Sequence, residues 1–295
     1  MTRPAEVLMC PPTHFDVRYA INPWMQPAGV PVDRRRALEQ WNGLVRTLGR
    51  YVRVSLVEAQ PDQADMCFTA NAGLVHGNAY IGSRFRHDER RGEEAHFDDW
   101  FAAHGYACKR LPDDVVFEGA GDALCDTDGR IWMGYGQRSS LGAAQALRDA
   151  LSVEVVALRL VDPRFYHLDT CFCPLRAGGV VYFPGAFSPE SLATIEARFA
   201  RSERIAVSED DATALACNIV DLDRVVVLNR AGAMLGSRLA RRGLGVHEVD
   251  LSEFIKSGGA AKCLVLPLPA GTAPARRAVH PSAPLIRAQE QPVST

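Results

Sequence analysis

A few residues able to do covalent or proton chemistry stand in unusual local surroundings. Cys263 follows Ser257-Gly258-Gly259-Ala260-Ala261-Lys262. Glycines there let backbone approach a ligand closely, and Lys262 places a positive charge where it favours a thiolate. Taken alone, the same cysteine reads as a small buried hydrophobe at the start of a strand. His167 and Asp169 flank Leu168 in Phe165-Tyr166-His167-Leu168-Asp169. On a strand the two would point to one face, and a base beside a carboxylate suits proton transfer next to a bound cation; a surface-facing strand edge has the same pattern. Glu118, in Phe117-Glu118-Gly119-Ala120-Gly121-Asp122, sits between an apolar strand and a glycine turn. It can orient His167 and favour its charged form, although an ordinary turn acid would look similar. Asp65 and Asn71 flank Phe68-Thr69, and Arg138 stands in a Gly134 to Ser140 segment after a strand. Arg84, Arg86, Arg90 and Arg91 cluster in one loop region. Arginine can hold a carboxylate through two parallel hydrogen bonds; at least two of these four read as solvated surface charge.

The elements that would position these groups repeat. Asn71, Glu118, His167, Asn218 and Cys263 are separated by 47, 49, 51 and 45 residues. Each marks an apolar strand, a small or polar break and a second apolar strand, with the marker expected on the first strand. Helices fall between the units. Leu38, Trp41, Val45 and Leu48 form one apolar stripe over 36–48, and similar stripes run over 94–104 and 141–151. Ser188-Pro189 supplies a capping hydroxyl and a proline for a fourth helix, and Gly243 stops a fifth that begins near Ala231. A unit of this size cannot bury its own apolar faces, so neighbours must cover each other. The expected architecture is a closed α/β ring in which Val7-Leu8-Met9 completes the fifth unit and polar side chains converge on the axis. An open α/β sheet with chance spacing is the alternative.

Composition sets the outer limits. The 295 residues are 47% hydrophobic and 23% charged, with net charge −2. These values describe an ordinary globular chain and exclude general disorder. The near-balance of charge gives no electrostatic footprint for nucleic acid. No apolar run is long enough for a membrane span, and no secretory signal is recognisable. The eight cysteines then read as reduced thiols in a cytoplasmic protein. Cys171-x-Cys173 with nearby His167 lacks the spacing of the common zinc sites, so neither metal nor cofactor is expected. Residues 1–268 read as one catalytic domain. The last 27 residues, 269–295, hold five of the 18 prolines and read as a flexible tail.

Taken together, the chain resembles the guanidino-group-modifying superfamily of arginine deiminases, dimethylargininases and amidinotransferases. The likeness covers about residues 5–268. It is carried by Phe117 to Asp122, Phe165 to Thr170 and Gly258 to Cys263, supported by Asp65 to Asn71 and by Ile21-Asn22-Pro23-Trp24-Met25. The resemblance implies a five-bladed, pseudo-symmetric α/β propeller (the pentein fold). It also implies roles: Cys263 as nucleophile, His167 as general acid/base, Glu118 as its supporting acid and Asp169 as the carboxylate that grips a guanidinium. Arg138 would bind an α-carboxylate, with Arg84 or Arg90 as a second contact; Asp65, Phe68, Asn71 and Asn22 would line the substrate.

Two departures from the family pattern matter. The deiminase turn is Glu-Gly-Gly-Asp, whereas three residues separate Glu118 from Asp122 here, which leaves the role of Asp122 open. Asn71 stands where deiminases have aspartate. In this it looks like the cyanobacterial arginine dihydrolases, whose Asn-Pro-Trp-Met segment Asn22 to Met25 also matches. A neutral amide both donates and accepts hydrogen bonds and can hold a ureido group, which a carboxylate does not favour. The expected activity is therefore cysteine-dependent hydrolysis of arginine to ornithine, carbon dioxide and ammonia through a covalent thiouronium. The alternatives are dimethylargininase, deiminase or amidinotransferase chemistry, or a non-catalytic propeller that only binds. The expected partner is a small guanidino compound, and a homo-oligomer is compatible with this reading.

Overall fold

The computed structural model describes residues 6–268. The expected tail, 269–295, lies outside the described residues.

Five three-stranded sheets repeat one topology. In each, the middle strand runs antiparallel to one neighbour and parallel to the other. Gly73–His76, Ala79–Gly82 and Ala107–Lys109 form one such sheet. Ala123–Cys125, Ile131–Tyr135 and Val155–Arg159 form the next. Phe172–Pro174, Val180–Tyr182 and Arg204–Ala206 follow, and then Val220–Asp221, Val225–Leu228 and Gly245–Glu248. The remaining sheet joins the two ends of the described chain. Glu6–Met9 pairs antiparallel with Leu266–Leu268 and parallel with Arg53–Leu56.

Parallel neighbours require a crossover, and a helix supplies it in every unit. These helices are Arg34–Leu48, Glu93–Ala103, Gly142–Leu151, Pro189–Arg198 and Ala233–Arg241. All five expected helices are present, with ends shifted by a residue or two. Asp33 accepts the Arg36 amide at the first start and Ser188 accepts the Ser191 amide at the fourth. Gly243 has φ 76°, the left-handed conformation that ends a helix without Cβ strain. The apolar stripes turn inward: Ala37, Trp41, Leu44 and Leu48 are fully or almost fully buried, as are Phe97, Phe101 and Leu147.

The strands are shorter than expected, and the five markers are not on them. Asn71 lies in the 3-10 turn Thr69–Ala72, Glu118 immediately precedes the helical turn Gly119–Asp122, and His167 precedes the 3-10 turn Leu168–Thr170. Asn218 lies just past the turn at 214–217, ahead of Val220–Asp221, and Cys263 lies in the turn at 261–264, ahead of Leu266–Leu268. The physical reason is directional. A strand sends alternate side chains to opposite faces, whereas a tight turn at the head of a strand aims its polar groups together. The same turn rotates Asp169 away from His167, so these two do not share a face as they would on a strand. The imidazole reaches Glu118, and the carboxylate reaches Cys263.

Candidate active site

The glycine-rich turn after Glu118 fixes the middle of the site. Gly119 has φ 61°. A Cβ at Gly121 would collide with Asn71 Nδ2 and press on the His167 ring, so the short turn Gly119–Asp122 must be nearly bare for these groups to meet. The extra residue relative to the deiminase turn does not idle Asp122. Its Oδ1 accepts the Leu168 amide at 3.0 Å, and its Oδ2 accepts the Ser139 hydroxyl at 2.6 Å. Asp122 thus braces the backbone next to His167, and burial raises its carboxyl to about 6.

Glu118 is completely buried. Its Oε2 accepts hydrogen bonds from His167 Nε2 at 2.7 Å and from Arg138 at 3.0 Å, while Oε1 accepts the Arg86 amide at 3.0 Å. Burial works against the charged form, yet Arg138 and His167 together hold this carboxyl well below the usual carboxylate range. An ionised Glu118 makes His167 Nε2 the protonated nitrogen, which leaves Nδ1 for chemistry. Nδ1 lies 3.4 Å from Asn71 Nδ2.

Asn71 is held from behind. Arg90 donates to its Oδ1 at 2.8 Å and grips both oxygens of Glu93, each at 2.8 Å. Arg90 and Glu93 are both buried. Asp65 accepts the Tyr19 hydroxyl through Oδ2 at 2.9 Å, and its buried Oδ1 has no partner among the described residues. Burial raises the Asp65 carboxyl, opposed by Arg90.

Cys263 Sγ lies 3.6 Å from both oxygens of Asp169 and 3.1 Å from Asn218 Nδ2. Burial, and then Asp169, push the thiol far up. Lys262 does pull the thiol down, as its nearby charge suggests, but it is the last of the influences on it and does not overcome burial and Asp169. Lys262 lies against the carbonyls of Ala120 and Val265, and its charge is the foremost influence opposing burial at Asp169. Burial still leaves Asp169 raised to about 6.

One cavity brings Cys263, Asn71, Asp65, Phe68, Arg90 and Arg138 together, with Asn22 and Met25 on its wall. Asn22 secures that wall: Oδ1 accepts the Trp24 amide at 2.9 Å and Nδ2 donates to the Ser257 carbonyl at 3.1 Å. Arg138 packs over the Tyr166 ring and donates to the Ile21 carbonyl. Tyr166 donates to the carbonyls of Ser257 and Gly258, tying the histidine segment to the cysteine loop. Phe68 presses on Gly259 so closely that no side chain fits there.

Arg84 does not join them. Its guanidinium pairs with exposed Asp113 at 2.6 Å, outside the cavity. Of the two loop arginines weighed as a second carboxylate contact, only Arg90 reaches the cavity. Charge alone did not separate them; the partners did, because a buried arginine needs a buried acid and Glu93 lies three residues after Arg90. The roles of Ser139, Asp122, Arg86 and Tyr166 went unrecognised in the sequence. Asn218 was visible there only as one beat of the repeat. Asp169 lines a separate, larger cavity together with Lys262, which includes none of Cys263, His167 and Glu118, and none of Asp169, His167 and Glu118 lines the cavity that holds the sulfur. Among the described residues no cluster of three or more His, Cys, Asp or Glu is placed to hold a metal, and all eight cysteines are free. No described helix is long and apolar enough to cross a membrane.

Repeated small α/β units around a buried cysteine, histidine and acid set define a protein of the guanidino-group-modifying superfamily. More narrowly, residues 16–269 match the family model described as N,N dimethylarginine dimethylhydrolase, eukaryotic, and the chain belongs to this family. It is 50% identical over 281 residues to the bifunctional arginine dihydrolase/ornithine cyclodeaminase AgrE of Nostoc, covering 95% of this chain and 40% of that protein. The N(G),N(G)-dimethylarginine dimethylaminohydrolase of Mycobacterium tuberculosis is 38% identical, covering 88% of this chain and 84% of its own. Among solved structures, the N-terminal domain of ArgZ, a cyanobacterial arginine dihydrolase with substrate bound, superposes with TM-score 0.87 at 48% identity, covering 90% of this chain and 98% of that one. The chain thus spans about two fifths of the length of the bifunctional relatives it matches.

Proposed function

We propose that this chain is a cysteine-dependent hydrolase that converts arginine and two waters to ornithine, carbon dioxide and two ammonia. The observation that carries the reading is the single cavity into which Cys263, Asn71 and Arg138 project, with Asp169 at 3.6 Å from the sulfur and Glu118 at 2.7 Å from His167. The five sheets of one topology read as the blades of a closed α/β propeller, residues 6–268 forming one catalytic domain whose marker turns meet at the axis. Eight free thiols suit a reducing, cytoplasmic setting.

In the proposed cycle Arg138 and Arg90 receive the α-carboxylate and Asp169 the guanidinium. The thiol is neutral in the free protein because it is buried beside Asp169. Arrival of the guanidinium offsets that carboxylate charge and favours ionisation of the sulfur, the proton passing to His167 Nδ1. The sulfur attacks the guanidinium carbon. His167 gives the proton to the departing nitrogen, ammonia leaves, and a thiouronium remains. His167 then takes a proton from water, which attacks the same carbon and expels the sulfur, giving the ureido compound. A second round on the ureido carbon expels the second ammonia and ends in a carbamate, which loses carbon dioxide to give ornithine.

Asn71 favours two rounds over one. Arg90 occupies its carbonyl end, so the amide presents N–H groups toward His167 and the cavity. A ureido oxygen accepts such a donor; a guanidinium offers no acceptor. Identities of 48–50% with arginine dihydrolases point the same way. Dimethylargininase chemistry is the second reading, supported by the family model and the mycobacterial relative. Incubation with arginine, and separately with asymmetric dimethylarginine, decides between them. Ornithine from arginine is expected; citrulline as the end product, or release of dimethylamine with arginine untouched, overturns the dihydrolase reading.

A further inference from the structure

Asn218 is completely buried just past the turn that contains Leu215, a residue held at φ 55°. Its N–H donates to the Leu215 carbonyl at 2.9 Å. The side chain has no orientational freedom. Oδ1 accepts the backbone N–H groups of Lys262 at 2.8 Å and Cys263 at 3.1 Å. Those two groups can only donate, so the carbonyl end must face them and the NH2 end must face the other way. Nδ2 then donates to the Asp169 carbonyl at 3.0 Å and to Cys263 Sγ at 3.1 Å. Both donor hydrogens and both acceptor sites of the amide are in use.

The two groups beside the sulfur act in opposite senses. Asp169, at 3.6 Å through either oxygen, can accept the thiol proton and so holds the neutral form. Asn218 can only donate to sulfur from this orientation, and a donated hydrogen bond favours the anion. We propose that Asn218 is a catalytic residue of this site: its Nδ2–H group stabilises the Cys263 sulfur anion before attack and again whenever a covalent adduct releases the sulfur. The inference rests on the reading of Cys263 as nucleophile. It gives the site a stabiliser that persists once the guanidinium has engaged Asp169. The Ala260 amide and the Lys262 charge add to Asn218 in the same direction, whereas burial and Asp169 oppose it. Tyr166 also faces the sulfur, and Asp65, Arg90 and Arg138 share its cavity.

The test is Asn218→Asp, which keeps an oxygen for the Lys262 and Cys263 amides and exchanges the donor for a second acceptor. Alkylation of Cys263 by iodoacetamide is followed against pH without arginine, with the modified peptide quantified by mass spectrometry to separate it from the other seven cysteines. The alkylation midpoint is expected to rise by at least one pH unit, giving roughly tenfold slower modification on the rising limb. In parallel, kcat on arginine is expected to fall at least a hundredfold with KM within about threefold. A new carboxylate raises the thiol by its charge alone, so the same upward midpoint is required of Asn218→Ala, which removes the donor without adding charge. A wild-type alkylation profile in Asn218→Ala overturns the proposal, because a residue needed only to anchor two backbone amides would not move it. Wild-type protein that alkylates normally but leaves arginine unchanged overturns the hydrolase reading and leaves the comparison at Asn218 intact.

Discussion

His167 Nε2 and Glu118 Oε2 lie 2.7 Å apart, with both side chains buried, and the same oxygen receives Arg138 at 3.0 Å. One carboxylate thus sets the tautomer of the imidazole and compensates a buried guanidinium. Glu118→Gln keeps the shape and removes the charge. Activity should fall by about 10²–10⁴-fold through mispositioned proton transfer. Stability should fall by roughly 3 kcal/mol, because Arg138 is left without its counter-charge. Steady-state rates and denaturant midpoints measure the two effects; an unchanged kcat would remove Glu118 from the mechanism.

Gly121→Ala tests how tightly the site is closed. Gly121 has no unusual φ, so the cost comes from contact alone: the new methyl meets Asn71 Nδ2 and the His167 ring. Destabilisation of about 1–3 kcal/mol is expected from overpacking, with at least a tenfold loss in kcat as the imidazole shifts. An alanine variant with wild-type turnover would mean that His167 and Asn71 need not approach this closely.

Much of this was legible before any coordinates. The near-constant spacing of Asn71, Glu118, His167, Asn218 and Cys263 gave five units, and the helix stripes gave the crossovers. The strands were overdrawn because runs such as Cys67 to Val75 mix turn and strand under one apolar pattern; burial on all sides erases the period that separates them. Side-chain pairing was the other gap. Nothing in the one-dimensional pattern says that Lys262 is spent on two carbonyls, or that Asn218 turns its amide toward a sulfur 45 residues away.

The loop arginines offer a contrast. Arg84 pairs with exposed Asp113 outside the cavity, and surface pairs of this kind contribute only ~0–1 kcal/mol. Arg84→Ala should leave KM for arginine within twofold and stability nearly unchanged. Arg90→Ala strips Asn71 and Glu93 of their partner and empties the proposed carboxylate contact. KM should rise at least tenfold, and the protein should lose about 3–5 kcal/mol because Glu93 is left buried and unpaired. Equal effects of the two substitutions would contradict the placement.

Acid should weaken substrate binding through Asp169. Its carboxyl is raised from the ordinary 3.8 to about 6 by burial, with Lys262 opposing. In the proposed cycle the guanidinium needs the ionised form, so affinity should fall below pH 6, approaching tenfold per pH unit. Calorimetry with Cys263→Ala, which removes the proposed nucleophile, measures this without turnover, and proton release on arginine binding near pH 6 is the companion signal. For folding the sign is reversed. A raised carboxyl favours the folded state at low pH, and that contribution is lost as pH rises through about 6. Asp169→Asn should therefore gain relative stability above pH 6 while losing the pH dependence of binding. Asp122, also raised to about 6, remains in that variant as the internal control.

Asn71→Asp addresses the number of hydrolytic rounds. In the native site Arg90 donates to Oδ1 at 2.8 Å, and the opposite end of the amide faces His167 Nδ1. Aspartate can keep the Arg90 contact with one oxygen, but it turns an acceptor toward the cavity where a donor had been. For the cationic guanidinium that change is tolerable, since an added carboxylate attracts it. For the neutral ureido group it is not, because two oxygens would face each other without a hydrogen between them. The first round should survive within about tenfold, and the second should fail by a larger factor, in the range of roughly 10²–10³ that loss of one hydrogen-bond donor at a reacting oxygen costs. Citrulline should then accumulate in place of ornithine, read directly by chromatography of the products. An unchanged ornithine share would show that the amide does not select for the ureido intermediate, and the basis for two rounds would have to be sought at Asp65 or His167 instead.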